Sequence, residues 1–153
     1  MTKNIRQKLQ GIQSALKAPK GQTNKFGGYK YRSAEDIVES TKPLLGEWGC
    51  ILTISDEVVE IGGRVYVKAT ACLTDTEHDN SIFTTAFARE AEVKKGMDEA
   101  QITGSASSYA RKYALNGLLC IDDTKDPDAT NDHGKQSKPV AKKPRITEDS
   151  FNL

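Results

Sequence analysis

The sequence predicts an α+β fold in which a three-stranded antiparallel β-meander packs against a long helix. The first observation is a strict alternation over residues 64–73, where small apolar side chains alternate with polar ones. The second is a pair of short connections, Gly62–Gly63 and residues 75–80, which favour antiparallel strands on both sides. The third is helical periodicity over residues 98–117.

Two predicted strands flank the alternating one. Residues 50–59 are apolar and rich in β-branched side chains, which suits a strand packed on at least one face. Residues 81–90 alternate again, and we expect one face of that strand to carry Phe83, Thr85, Phe87 and Arg89. The three strands therefore form one meander.

One amphipathic helix is predicted near the start of the chain. Residues 4–16 carry apolar side chains at three- and four-residue steps, which line one helical face. The residues that follow, 18–28, are rich in Pro and Gly, and we expect them to form a flexible connection.

A second helix is predicted to begin after Ser33. Ser33 can cap it, and Asp36 lies where a capping box places an acidic partner. Pro43 falls inside the helix and predicts a kink or a late restart. Gly46 and Gly49 are expected to end it.

The long helix over residues 98–117 has an unusual surface. Asp98 is its predicted N-cap, and Gln101 completes a capping box. Its middle turn, residues 104–108, contains only Gly, Ser and Ala, which would let it pack tightly on the sheet or on another subunit. Tyr113 falls on the apolar stripe, so we expect it in the core.

The composition changes towards the end of the chain. Hydrophobic residues make up 37% of the sequence, which is low for a fully packed chain of this size. Residues 131–153 contain few apolar side chains and are interpreted as a disordered charged tail. We therefore divide the chain into a folded domain, residues 1–130, and that tail.

Charge and cysteine content bound the function. The first fifty residues carry nine Lys or Arg against four Asp or Glu, and the next fifty carry five against ten. Such asymmetry suits head-to-tail self-association and a basic end that meets phosphates, or an ordinary charged surface. The three cysteines are widely spaced, so we expect core residues in a reduced intracellular protein: Cys50, Cys72 and Cys120. No apolar run suggests a signal peptide or a membrane span.

Catalytic motifs are missing from the sequence. The glycines between Gly21 and Gly28 do not form a phosphate-binding loop, and no nucleophile elbow or zinc-protease motif occurs. We therefore expect no catalytic residue, cofactor or metal. The alternative is a metal-dependent nuclease that uses the acidic run formed by Asp122, Asp123, Asp126 and Asp128.

Cations interleaved with aromatic side chains are the strongest functional signal. Lys and Arg neutralise phosphates, and aromatic rings stack on any base, so this pattern predicts single-stranded nucleic-acid binding. The competing interpretation is that these cations belong to an ordinary solvated surface. The candidate contacts are Lys25, Tyr29, Lys30, Tyr31, Arg32, Arg64, Lys68, Arg89, Lys94, Lys95, Arg111 and Lys112.

Two of these segments carry a family resemblance. Residues 97–128 contain the run Gly-Ser-Ala-Ser-Ser-Tyr-Ala-Arg-Lys-Tyr-Ala-Leu, followed by Ile121-Asp122-Asp123, and resemble the signature of the ERF (essential recombination function) family. Residues 29–37 and then Pro43-Leu44-Leu45 are similar to the N-terminal motif of that family. The resemblance covers about residues 3–130.

This resemblance implies a single-strand annealing protein of phage or prophage type, with a β-β-β-α core. It implies ATP-independent annealing of single-stranded DNA by a homo-oligomeric ring or filament in the cytoplasm of the bacterial host. Implied partners are a phage exonuclease and a host single-strand binding protein. By motif match it assigns DNA binding to Lys30, Tyr31, Arg32, Arg111 and Lys112.

A protein-interaction scaffold without DNA affinity is a further alternative. A separate hypothesis is that residues 148–151, acidic side chains followed by an aromatic ring, form a docking tip that binds a partner protein.

Overall fold

The computed structural model describes residues 1–121. The predictions for the tail, the acidic run, the docking tip and the domain boundary at residue 130 lie outside the described residues. In chain order the elements are α1 (Ile5–Ala15), β1 (Gln22–Asn24), β2 (Tyr29–Tyr31), α2 (Ala34–Trp48), β3 (Cys50–Ile61), β4 (Arg64–Asp75), β5 (Ser81–Arg89) and α3 (Glu99–Leu119). The predicted α+β class is confirmed.

The meander is the centre of the fold. Its strands lie in the order β3-β4-β5, and both pairs are antiparallel. Gly62 and Gly63 form the two-residue turn between β3 and β4, with φ of 60° and 76°. Tight hairpin turns of this kind need positive φ at both positions, which glycine adopts without steric cost. The turn fixes the register that pairs Ile61 with Arg64.

The core lies between one face of the sheet and the helices. Strand β4 buries every second side chain there, as its alternation predicts. Helix α3 crosses β4 and β5 and covers that face. The largest fully buried apolar side chains are Ile12, Ile37, Val67, Leu73, Leu115, Leu118 and Leu119. The opposite face of the sheet has no helix against it among residues 1–121.

The N-terminal helices are held by local capping. Asn4 and Gln7 form a capping box at the start of α1, and Ser33 and Asp36 form the predicted one at α2. Helix α2 runs on through Pro43, since Leu44, Leu45 and Trp48 beyond it pack against the core. Gly49 caps this helix in the left-handed conformation, whereas Gly46 lies inside it. The expectation that Gly46 helps to end α2 is wrong.

The connection before α2 contains structure that the sequence pattern did not reveal. Strands β1 and β2 form an antiparallel hairpin, with Asn24 opposite Tyr29. The Asn24 side-chain oxygen accepts hydrogen bonds from the backbone N–H groups of Phe26 and Gly27, which stabilises the turn. Strands of three residues are too short to give a periodic signal, so a flexible connection was the wrong expectation.

Helix α3 begins at the predicted cap and ends slightly later than expected. Asp98 and Gln101 form its capping box. In the small-residue turn only Ala106 is buried, and no atom outside the helix lies within 4 Å of a Cβ built on Gly104. Cys50 is buried, whereas Cys72 is half-buried on the sheet face that points away from the helices and Cys120 is exposed just beyond the end of the helix. The core assignments of Cys72 and Cys120 are therefore corrected.

Candidate nucleic-acid interface

A cleft lies where α3 passes the outer edge of β5. Near the C-terminal end of α3 the helix and strand touch, because the Thr84 hydroxyl donates to the Ala114 carbonyl at 2.7 Å and a Cβ on Gly117 would lie 3.7 Å from Thr84. Towards the N-terminal end of α3, the surfaces of the helix and of β5 enclose a cleft of about 490 Å³. It is lined by Phe87, Ala88, Arg89, Ala91, Lys94, Met97, Ile102, Ser105, Ala106, Tyr109 and Tyr113.

Two tyrosine rings form one wall of this cleft. Tyr109 and Tyr113 lie one helical turn apart, with ring centroids separated by 6.2 Å and ring planes inclined by 33°. They are 53% and 48% exposed. The expectation that Tyr113 packs in the core is therefore wrong. Ala106, Ala110 and Ala114 form the buried face instead, and the tyrosines lie beside it, where the sheet ends.

Cations lie on the other sides of the cleft. Arg89 ends β5, and Lys94 belongs to the exposed segment that leads to α3. Lys95 follows in the same exposed segment. Because β5 pairs only with β4 among the described strands, this edge is accessible to a ligand. Positive charge beside exposed rings suits a chain of phosphates that carries stackable bases.

The open face of the sheet carries further candidates. Lys68 is paired in register with Phe87, and its Nζ lies 5.9 Å from the centroid of that ring. Tyr66 is paired with Arg89, which also lines the cleft. Arg64 lies close by, where its Nε is 3.5 Å from a carboxylate oxygen of Glu92. Arg64 and Lys68 therefore lie on the central strand β4, beside the β5 edge that carries Arg89 and Lys94.

Arg111 lies on a different side of α3. Its Nε and Nη2 donate to the Asp56 carboxylate at 3.0–3.1 Å, and the Ser107 hydroxyl donates to the same carboxylate at 2.5 Å. Partial burial would raise the pKa of Asp56, but the hydrogen bonds from Arg111 and Ser107 and the positive charge of Arg111 outweigh it, and the pKa is lowered. Arg111 is thus held by a carboxylate, and Lys112 beside it is half-buried.

The remaining candidates belong to the β1–β2 hairpin. Lys25, Tyr29 and Lys30 are exposed, and the rings of Tyr29 and Tyr31 meet edge to face at 6.3 Å. Arg32 departs from the expected surface position, since it is only 6% exposed and its Nη1 donates to the Ala18 carbonyl. We therefore leave Arg32 out of the candidate interface.

One cluster of possible metal ligands occurs within residues 1–121. Ligand atoms of Asp75, Glu77 and His78 lie within 4.8 Å of one another. Asp75 already accepts from the Lys8 ammonium at 3.0 Å and from the Glu77 backbone N–H at 2.9 Å. The Glu77 N–H and the Lys8 ammonium lower the pKa of Asp75 to about 2. These contacts give the carboxylate a structural role, joining α1 to β4.

Sequence reasoning missed two features of this surface. It did not pair Arg111 with Asp56, because the two residues are 55 positions apart. It also left Phe87 and Met97 out of the site, although the alternation of β5 places Phe87 on the face of Arg89. Combining that alternation with the register of β4 could have found Phe87.

Within the described residues, no helix is both long and apolar enough to cross a membrane.

Comparisons with known proteins give the family. Residues 5–151 match the family model of the ERF superfamily. The chain is 54% identical over 150 residues to the essential recombination function protein of Salmonella phage P22, which covers 98% of this chain and 71% of that protein. No solved structure gives a significant match. Since both the family model and this relative span nearly the whole chain, the protein belongs to the ERF superfamily.

Proposed function

We propose that this protein binds single-stranded DNA and anneals complementary strands without ATP, as a homo-oligomer that acts in recombination. The observation that carries the proposal is the cleft between β5 and α3, which is lined by Tyr109 and Tyr113 together with Arg89 and Lys94. The similarity to an essential recombination function protein supports the place in recombination.

Each part of the cleft has a role in this proposal. Arg89 and Lys94 bind phosphates, whose charge is the same for every sequence. The rings of Tyr109 and Tyr113 stack on bases, which contributes about 1–3 kcal/mol per base without selecting one. A base stacked on a ring keeps its Watson–Crick edge free. The bound strand can therefore sample a complement, and duplex formation supplies the free energy.

Oligomers extend this surface along a strand. Strand β3 pairs on one side only within residues 1–121, so its outer edge is open to a neighbouring subunit without covering the cleft beside β5. An exposed sheet edge is a ready template for association between chains. We propose a ring or a filament in the host cell, working with a phage exonuclease and a host single-strand binding protein.

The first experiment measures binding of fluorescent single- and double-stranded oligonucleotides over a salt series. Annealing of complementary strands is followed in the same samples without ATP. We expect tighter binding of the single strand, weakening with salt, and accelerated annealing. Metal-dependent cleavage would instead favour a nuclease, and oligomers without DNA affinity would favour a scaffold.

Tyr109 tests the cleft itself. Replacement of Tyr109 by Ala removes one stacking surface, so we expect the affinity for oligo(dT) to fall roughly 5- to 150-fold. Tyr109→Phe is the matched control, because it keeps the ring and should retain nearly all of the affinity. An equal loss in both variants would contradict stacking, and unchanged binding in both would place the strand elsewhere.

A further inference from the structure

We propose that the open face of the sheet is a second contact surface for single-stranded DNA, on which bases stack against Phe83 and Phe87. This inference rests on the proposed function and extends it beyond the cleft. Its starting point is the alternation along β5, where these two rings point away from α3. Phe83 is 63% exposed and Phe87 is 46% exposed.

The core does not use these two rings, because other side chains of β5 pack against it. Ile82, Ala86 and Ala88 pack against the core on the helix side of the same strand. The outward rings of Phe83 and Phe87 have no helix over them among residues 1–121. Large apolar side chains exposed in this way mark an interaction surface.

The neighbours of Phe83 are small, whereas Phe87 is opposite Lys68. Phe83 is opposite Cys72 on β4, and Cys72 in turn is opposite Thr53 on β3. Thr85, between the two phenylalanines, is opposite Thr70. The ring of Phe83 therefore rises above a low surface. Four residues of extended strand separate the two rings by about 14 Å, so they would contact different bases.

Charge favours a polyanionic ligand. The outward-facing charged side chains of the sheet are Arg64, Lys68 and Arg89 against Glu57, which is opposite Lys68. Arg64 also lies 3.5 Å from the Glu92 carboxylate, so Arg89 is the cation of the three without a carboxylate partner within residues 1–121. Lys68 lies 5.9 Å from the centroid of the Phe87 ring, so a phosphate bound by Lys68 would hold a base near that ring. A base-stacking sheet flanked by cations is a recurring arrangement in proteins that bind single strands.

The open face also continues from the cleft. Phe87 and Arg89 belong to the sheet face and line the cleft as well. A single strand can therefore pass from Tyr109 and Tyr113 around the edge of β5 onto the sheet. A second copy of the chain fits this face less well, because a two-fold pairing would bring cations against cations.

Phe83 separates this surface from the cleft, since it does not line the cleft. Phe83→Trp introduces a fluorophore at the proposed stacking position. Val58→Trp is the matched control, because Val58 is exposed on the other face of the same sheet. Emission is recorded against the parent protein, which contains Trp48, while oligo(dT) is added and binding is followed by anisotropy.

We expect the emission of the Phe83→Trp variant to be quenched in parallel with the anisotropy change, while that of the Val58→Trp variant stays unchanged. Phe83→Ser should weaken binding roughly 5- to 150-fold, whereas Ile51→Ser, which removes an exposed apolar side chain without a ring, should not. Circular dichroism checks that each variant is folded.

Three results would overturn the inference. If anisotropy shows binding but the emission of the Phe83→Trp variant does not change, the strand is confined to the cleft and the proposed function stays intact. If the emission of the Phe83→Trp variant instead changes with protein concentration in the absence of DNA, the open face is a contact between copies of the chain. Absence of binding by the parent protein would overturn the proposed function together with this inference.

Discussion

Arg111 shows how a tertiary contact changes the meaning of a single residue. In the sequence it is one cation of a basic-aromatic segment, and in the structure its guanidinium is bound to Asp56 and shares that carboxylate with Ser107. Its charge is thus partly neutralised before any ligand arrives. Asp56 would compete with a DNA phosphate for the same donors.

Replacement of Asp56 by Asn should release Arg111, and a strand that reaches this second side of α3 should then bind more tightly. A partly exposed ion pair is worth about 0.2–1 kcal/mol, so we expect a roughly 1.4- to 5-fold increase in affinity for oligo(dT) at low salt. Glu39→Gln, which removes a carboxylate paired with Lys42 on α2, is the control for net charge. Equal gains in both variants would show that Arg111 has no special part in binding.

At the scale of elements, the small residues differ in what surrounds them. A Cβ on Gly11 would lie 2.2 Å from the ring of Trp48, so α1 approaches α2 as closely as glycine permits. A Cβ on Gly104 of α3 would meet nothing within 4 Å. The first glycine is needed for packing between helices, whereas the second is not needed by the isolated subunit.

Substitution of these two glycines by alanine should have opposite effects. Gly104→Ala should raise the free energy of unfolding by about 1 kcal/mol, because alanine favours the helix. Gly11→Ala should lower it by about 1–3 kcal/mol through overpacking against Trp48. Denaturant unfolding measures both. If Gly104→Ala instead disrupted oligomers, the small-residue turn would be a subunit contact.

The link between α1 and β4 has a pH signature. The pKa of Asp75 is lowered from 3.8 to about 2, by the Glu77 backbone N–H and by Lys8. A lowered pKa gives stability that is complete above the unfolded value and is lost as the pH falls through the folded value. The contribution of Asp75 should therefore disappear between about pH 4 and pH 2.

Replacement of Asp75 by Asn should lower the free energy of unfolding at neutral pH. The difference from the parent should shrink as the pH falls from about 4 to 2, because the parent then protonates the same carboxylate. Denaturant unfolding at several pH values measures the difference, with Asp79→Asn, an exposed carboxyl in the same turn, as the control. A difference that stays constant with pH would contradict a stabilising charge on Asp75.

At the scale of the whole molecule, the candidate cations form separate groups. Arg64 and Lys68 on β4 lie beside Arg89 and Lys94 at the β5 edge, and the exposed cations of the β1–β2 hairpin belong to another element. A single strand that follows the β5 edge contacts the first group. The dependence of the single-strand affinity on salt concentration therefore reports how many of these cations neutralise phosphates.

Replacement of Lys94 by Gln should reduce that salt dependence. For single strands the slope of log affinity against log salt is about −0.7 per neutralised phosphate, so losing one contact should make it shallower by about 0.7. Lys42→Gln on α2 removes the same charge outside the proposed surface and should leave the slope unchanged. An unchanged slope for Lys94→Gln would remove this residue from the interface.

Local signals in the sequence determined the three helices and the three strands of the meander, but not the β1–β2 hairpin. The caps at Ser33 and Asp98 and the turn at Gly62–Gly63 were predictable because each depends on contacts within a few residues. The alternation of β4 and β5 then gave the two faces of the sheet. The basic-aromatic pattern and the family resemblance pointed to nucleic acid without any tertiary information.

Tertiary structure alone decided which of these residues are available to a ligand. The position of α3 over β4 and β5 leaves Tyr113 at the edge of the sheet and Phe83 on its open face. Packing against the segment before the hairpin buries Arg32, and β3 brings Asp56 to Arg111. Periodicity reports which side chains share a face, but the contacts that cover or expose that face join residues far apart in the chain.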